Sequence, residues 1–206
     1  MKKIATLMLL FVSGALAAQD IALPKPQTAG GKPLMEALNA RRTGRSFSAQ
    51  ELTQKQLSDL LWAANGVNRP DGKRTAPSAG DSREIDIYVF LKTGVYFFDA
   101  DAHKLIQKSK TDERKNVGMQ PFVEIAPVVL VYVGNFDKIA RFDKESQNFY
   151  SATDVGYVSQ NVYLYAAAEG LTTVALGMIK KDELTALLKI KNGKPLLAQP
   201  VGYPGK

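Results

Sequence analysis

Within six positions, Arg41-Arg42-Thr43-Gly44-Arg45-Ser46, the chain sets three guanidiniums, two hydroxyls and a glycine. Guanidinium forks match phosphate oxygens two at a time, hydroxyls add short-range donors, and glycine lets the backbone close on a ligand. The chemistry favoured is the grip on a doubly charged anion, with phosphate the first choice. The run also has a plainer reading, because basic residues at a helix C-terminus complement the helix dipole. What separates the two lies elsewhere in the chain.

Composition removes several kinds of chemistry. The 206 residues include no cysteine, which excludes disulfides, thiolate nucleophiles and Cys-ligated zinc or iron–sulfur clusters. The single histidine, His103, excludes a multi-histidine metal site and reads as a polar residue of a Lys-rich turn. Positive charge exceeds negative, 27 Lys and Arg against 20 Asp and Glu, but it is dispersed. No RRM-type aromatic motif, zinc-finger spacing or basic helix accompanies it, so no nucleic-acid partner is expected. With 45% apolar and 23% charged residues, one globular domain is expected.

The elements that must position the basic run are readable in part. Residues 1–17 carry Lys2 and Lys3, an apolar core, and small residues at Ala15 and Ala17, the pattern of a secretory signal cleaved after Ala17. The apolar run is short for a permanent span, so export without a stable membrane anchor, to a periplasm or beyond, is expected. Residues 18–32, with Pro24, Pro26, Gly30 and Gly31, read as a flexible lead-in to a domain over 33–206. Leu34, Ala37, Leu38 and Arg41 fall at helical spacing and deliver the chain into the basic run, after which Phe47 can anchor it.

Thr53 and Gln56 have capping-box spacing ahead of an apolar face of Leu57, Leu60, Leu61 and Ala64, with Gly66 placed to end that helix in a left-handed conformation. A polar loop over 68–80 leads to a hairpin in which Ile85, Ile87, Val89 and Leu91 alternate, Lys92-Thr93-Gly94 turns, and residues 95–98 return. Residues 109–116 read as a solvated charged segment. The run from Val128 to Val133 predicts a strand buried on both faces. Val155, Val158, Val162 and Tyr165 predict a long helix over about 152–168. Residues 172–177 read as a short buried strand, 182–188 as a last helix and 196–201 as a final strand. The alternation of helices and strands in this length argues an α+β or α/β sandwich of a mixed sheet with helices on its faces.

Four runs then occur in order: residues 41–47, Leu60-Leu61-Trp62-Ala63-Ala64-Asn65-Gly66, Thr75-Ala76-Pro77-Ser78-Ala79-Gly80, and Leu171-Thr172-Thr173-Val174-Ala175-Leu176-Gly177. In these the chain resembles the nitroreductase family, and most of all the branch that includes the SagB-type dehydrogenases. The resemblance implies a three-layer α+β sandwich with a mixed, mainly antiparallel sheet, in an intertwined homodimer with two FMN molecules at the subunit interface. It implies that Arg41, Arg42, Thr43 and Arg45 hold the FMN phosphate and ribityl chain, and that Pro77, Ser78 and Ala79 reach the flavin from the partner chain. Leu176 and Gly177 would place backbone donors near the ring. The activity implied is hydride transfer from NAD(P)H through flavin to a small organic acceptor such as a nitroaromatic or quinone, with no catalytic acid or base in the protein. A non-enzymatic protein holding flavin or another phosphorylated ligand is the second reading. The chain departs from the family pattern at Thr43, where Ser is frequent, at Asp81, where Asn is frequent, and in ending at Lys206 without a longer basic tail.

Overall fold

The computed structural model describes residues 19–206, and the expected signal segment lies outside the described residues. Seven strands form one sheet: β1 (Ile21–Ala22), β2 (Ile85–Leu91), β3 (Gly94–Asp99), β4 (Lys104–Ser109), β5 (Val128–Asn135), β6 (Thr172–Thr173) and β7 (Gly193–Gly202). Their order is β1-β4-β3-β2-β5-β7-β6. Every pairing is antiparallel, so the mixed sheet of the expectation is antiparallel throughout the described chain. Five helices flank it: α1 (Leu34–Ala40), α2 (Gln54–Asn65), α3 (Phe122–Ile125), α4 (Lys144–Ala168) and α5 (Lys181–Leu187).

Strand β5 shows why there are three layers. Its side chains alternate faces with period two, and both sets are apolar. Val128, Leu130 and Tyr132 join the core packed with Leu57, Leu60, Leu61 and Ala64 of α2 and Val155, Val158 and Val162 of α4. Val129, Val131 and Val133 point to the other face, against Val123 of α3 and Leu184 of α5. The long helix starts earlier than the apolar pattern suggests, because Asp143 caps it by accepting the Ser146 N–H at 2.8 Å.

Helix α2 opens with the expected capping box: Thr53 Oγ1 accepts from Gln56 N at 3.1 Å, and Gln56 Oε1 accepts from Thr53 N at 3.0 Å. Its end differs from the expectation. Gly66 is extended, with φ −76° and ψ 164°, and not left-handed. It is glycine for want of room: a Cβ there would lie 2.5 Å from Trp62 Cδ1 and 2.7 Å from Trp62 Cα.

The lead-in is not loose. Ile21 and Ala22 pair with Leu105 and Lys104 and cover the outer edge of β4. Gln27 N donates to Asp59 Oδ1 at 2.7 Å, and Ser58 Oγ donates to Pro24 O. His103 is drawn into this join, its Nε2 2.7 Å from Ser58 Oγ and its ring edge-on to Phe98. Burial holds its imidazole below the usual range. The histidine therefore belongs to the seam that fastens the arm.

Gly66→Ala should lower stability by more than the ~1 kcal/mol that a neutral glycine replacement could change, because Trp62 Cα is backbone and cannot give way. Urea unfolding checks this; an unchanged midpoint would show that the helix end relaxes freely.

Candidate functional site

The basic run leaves α1 at Arg41, the helix C-cap, and is fixed by its backbone and neutral side chains. Gly44 N donates to Thr173 O at 3.0 Å, and a Cβ at Gly44 would sit 2.0 Å from Thr172 Oγ1. Ser48 N donates to Tyr203 O at 2.9 Å and Gly205 N to Ser46 O at 3.0 Å, while Phe47 is buried and bridges to Pro204. Lys206 therefore ends the chain beside this run. Arg41 is half-buried, with its Cζ 5.4 Å from the Tyr163 ring centroid, and Arg42 and Arg45 are exposed. Among the described residues none of the three pairs with a carboxylate, although seven other cations do.

Tyr163 of α4 gathers the neighbouring segment. Its hydroxyl lies 3.2 Å from Thr43 Oγ1 and accepts the Ala175 N–H at 2.9 Å. The basic run and the strand end after Thr173 are thus joined through one phenol. Other aromatic side chains have structural roles: Tyr96 is buried, Phe97 packs edge-on to Tyr88, and Tyr165 donates to Gln56 O at 3.1 Å. Leu176 is buried, and its N–H and C=O both bond Ala198, at 2.7 and 3.0 Å. It has no free donor to offer, so Gly177, which is exposed, is the residue of that pair that presents backbone outward.

The loop of Pro77, Ser78 and Ala79 is held elsewhere. Ala79 N donates to Asp154 Oδ2 of α4 at 2.8 Å, Arg83 N donates to Ser78 Oγ at 2.9 Å, and Arg141 Nη2 donates to Gly80 O at 2.7 Å. After it, Asp81 and Arg83 have φ of 57° and 53°, each a left-handed non-glycine conformation costing on the order of 1 kcal/mol or more. Arg83 reaches Asp81 through two bonds, at 3.1 and 2.8 Å, and holds that carboxyl below the usual range. The Asp at a position where Asn is frequent thus arrives with its own counter-ion.

Asp154 and Tyr163 are nine residues apart on α4, roughly 14 Å along the axis. The structure brings Arg41, Thr43 and the 175–177 segment together, and it anchors Pro77–Ala79 at a separate station of the same helix. Sequence reasoning missed Tyr163 as a clasp and Asp154 as an anchor; a tyrosine and an aspartate at helical positions carry no local mark of such roles.

The model of the Nitroreductase family matches residues 38–203. A Methanocaldococcus jannaschii protein that carries the nitroreductase name is 35% identical over 179 residues, covering 82% of this chain and 90% of its own length. The FMN reductase (NAD(P)H) of Bacillus subtilis is 27% identical over 186 residues, covering 83% of this chain and 66% of that protein. A crystal structure from Ralstonia eutropha JMP134, also under the nitroreductase name, superposes with a TM-score of 0.87 at 39% identity, covering 91% of this chain and 90% of that one.

Tyr163→Phe removes the clasp on Thr43 and on the Ala175 N–H while keeping the ring under Arg41. A loss of about 1–3 kcal/mol in urea unfolding is expected, the cost of stranding a part-buried donor. An unchanged unfolding midpoint would show that the phenol is not what joins the two segments.

Proposed function

The chain belongs to the nitroreductase family, and from that premise we propose a specific division of labour within an FMN-dependent oxidoreductase. Arg41, Arg42 and Arg45, with the Thr43 hydroxyl, hold the FMN phosphate and ribityl chain. Gly177, with Leu176 behind it, lies by the ring. Pro77, Ser78 and Ala79 come from a second copy of the chain, and the working form is a homodimer. The observation that carries this reading is the basic run itself: three guanidiniums on a backbone pinned by neutral contacts and, among the described residues, left without a carboxylate partner.

The donor set fits the cofactor. A charge-assisted hydrogen bond contributes about 1.5–3 kcal/mol net, so three guanidiniums on one phosphate suffice to retain a non-covalent flavin. Bound FMN supplies the hydride chemistry. The residues of the chain bind its phosphate, fix its orientation and shape the cavity for a flat partner. His103 is engaged with Ser58 in the arm seam, in keeping with a reaction that asks no protein group for a proton.

NAD(P)H is the proposed donor, supported by the name of the Bacillus subtilis relative. The proposed acceptor is a small, flat organic compound, a nitroaromatic, a quinone or similar; oxidation of a heterocycle in a modified peptide is also compatible with the family. Export is proposed from the signal pattern in residues 1–17. Among the described residues no helix is long and apolar enough to cross a membrane.

Arg41→Ala combined with Arg45→Ala should strip the protein of flavin without unfolding it. Visible absorption after removal of free FMN reads this directly; undiminished flavin would overturn the assignment. In sedimentation the flavin-loaded protein should run as a dimer, and a monomer that keeps its FMN would overturn the shared site.

A further inference from the structure

Glu84, just before β2, is out of keeping with its surroundings. Its side chain is fully buried, and neither Oε1 nor Oε2 meets a hydrogen-bond donor. The group within reach is another carboxyl, that of Asp154, itself 3% exposed. With both ionised, two acceptors would face each other in a site without water, which proteins avoid because nothing offsets the lost hydration.

No neighbouring cation resolves the conflict. On the 3-10 turn Phe136–Ile139, Lys138 donates to Asp86 Oδ1 at 2.6 Å and to Arg83 O at 3.2 Å. Arg83 is paired with Asp81, and Arg141 bonds Gly80 O and Ser82 Oγ. From β5 the Asn135 N–H donates to Glu84 O at 2.9 Å. On α4, three residues before Asp154, Ser151 is also buried and its Oγ has no partner among the described residues. Among the described residues no group of acidic side chains and histidine is arranged to hold a metal ion. The smallest cation that satisfies the pair is a proton.

We propose that Glu84 and Asp154 share one proton, Glu84 as a carboxylic acid donating to the Asp154 carboxylate, and that this proton latches the Pro77–Ser78–Ala79 loop onto α4. One oxygen of Asp154 receives the Glu84 proton, and the other, Oδ2, keeps the Ala79 N–H. Loss of the proton leaves two like charges beneath a loop that already carries left-handed backbone at Asp81 and Arg83. The loop then loosens.

The direction in pH follows. Burial, the largest cause, together with the Asp154 carboxyl pushes the Glu84 carboxyl up to about 7, against the opposing pulls of its own backbone N–H and of Lys138. Between the ordinary carboxyl range and that value the closed form binds one more proton than the opened form. The latch is therefore complete at low pH, weakens as pH rises through this window by up to about tenfold per unit, and levels off above it. The consequence for flavin rests on the proposed function, which puts this loop at the cofactor; the latch itself does not.

The experiment uses the full chain, once saturated with FMN and once with flavin withheld. Infrared spectra near pH 6, where ordinary carboxyls are ionised, should show a carboxylic-acid carbonyl band that fades on alkalinisation and is absent in Glu84→Gln. Hydrogen exchange at the Ala79 amide, corrected for intrinsic pH dependence, should lose roughly twentyfold protection between pH 5.5 and 7.5 in the unsubstituted protein. In Glu84→Gln, which keeps a donor to Asp154 but cannot titrate, protection should stay flat. No acid band, a band that survives in Glu84→Gln, or the same exchange profile in both proteins would each overturn the latch. FMN affinity should weaken over the same window only in the unsubstituted protein. If the band and the exchange behave as stated while FMN affinity does not follow, the latch stands and the placement of the loop at the flavin fails.

Discussion

Like charges on neighbouring residues repel, and the organisation of this molecule around Arg41, Arg42 and Arg45 answers that repulsion. At a spacing of about 6 Å each pair costs on the order of 0.7 kcal/mol in water and more wherever solvent is thinned. A surface run would spread its side chains or recruit carboxylates. Here the backbone is held by Gly44 on Thr173 and Gly205 on Ser46, and Phe47 is sunk in the core. The charges stay within five positions of the chain and, among the described residues, have no carboxylate partner. An arrangement that is unfavourable alone becomes favourable when a dianion arrives, and that is the ground for proposing that the loop binds phosphate.

Helix α4 is the beam on which the rest is hung. Its buried stripe of Val155, Val158, Val162 and Ala166 seats it on the sheet. Its polar positions between these turns do the placing: Asp154 takes the Ala79 loop and Tyr163 takes Thr43 and Ala175. The two stations lie about 14 Å apart along the helix, and the proposed two-fold partner would bring a second set of each. Exposed Phe149 and Tyr157 on the same helix, with Met178 near the strand end, give such a partner apolar surface to cover.

Local signals were legible and distant ones were not. The Thr53–Gln56 capping box, the Lys92–Thr93 hairpin turn and the buried β5 run are set by neighbours in sequence, and each stands where its residues say. Strand β4 has no such signature: its residues are mostly polar, and it is a strand because β3 pairs it on one side and the N-terminal arm on the other. For the same reason the arm reads as loose from its prolines and glycines, although Ile21 and Leu23 pack against the core. The first two turns of α4 are polar and were placed only by the Asp143 cap. In the site, the basic run and the Pro77 loop announce themselves by composition. Leu176, Tyr163 and the Glu84–Asp154 pair do not, because what decides them is which backbone donor is already taken and which carboxyl is sealed from water.

The claim at the centre of the account is that one flavin site needs the basic run of one chain and the Ala79 loop of another. Complementation tests it most directly. One variant carries Arg41→Ala and Arg45→Ala, the other Ala79→Trp, which fills the approach to the ring; each alone should be colourless. Unfolded together in equal amounts and refolded with FMN, they should form mixed dimers with one intact site, so that roughly one site in four regains flavin. A mixture that stays colourless although mixed dimers form, or an Ala79→Trp protein that binds FMN unaided, would contradict a site shared between chains.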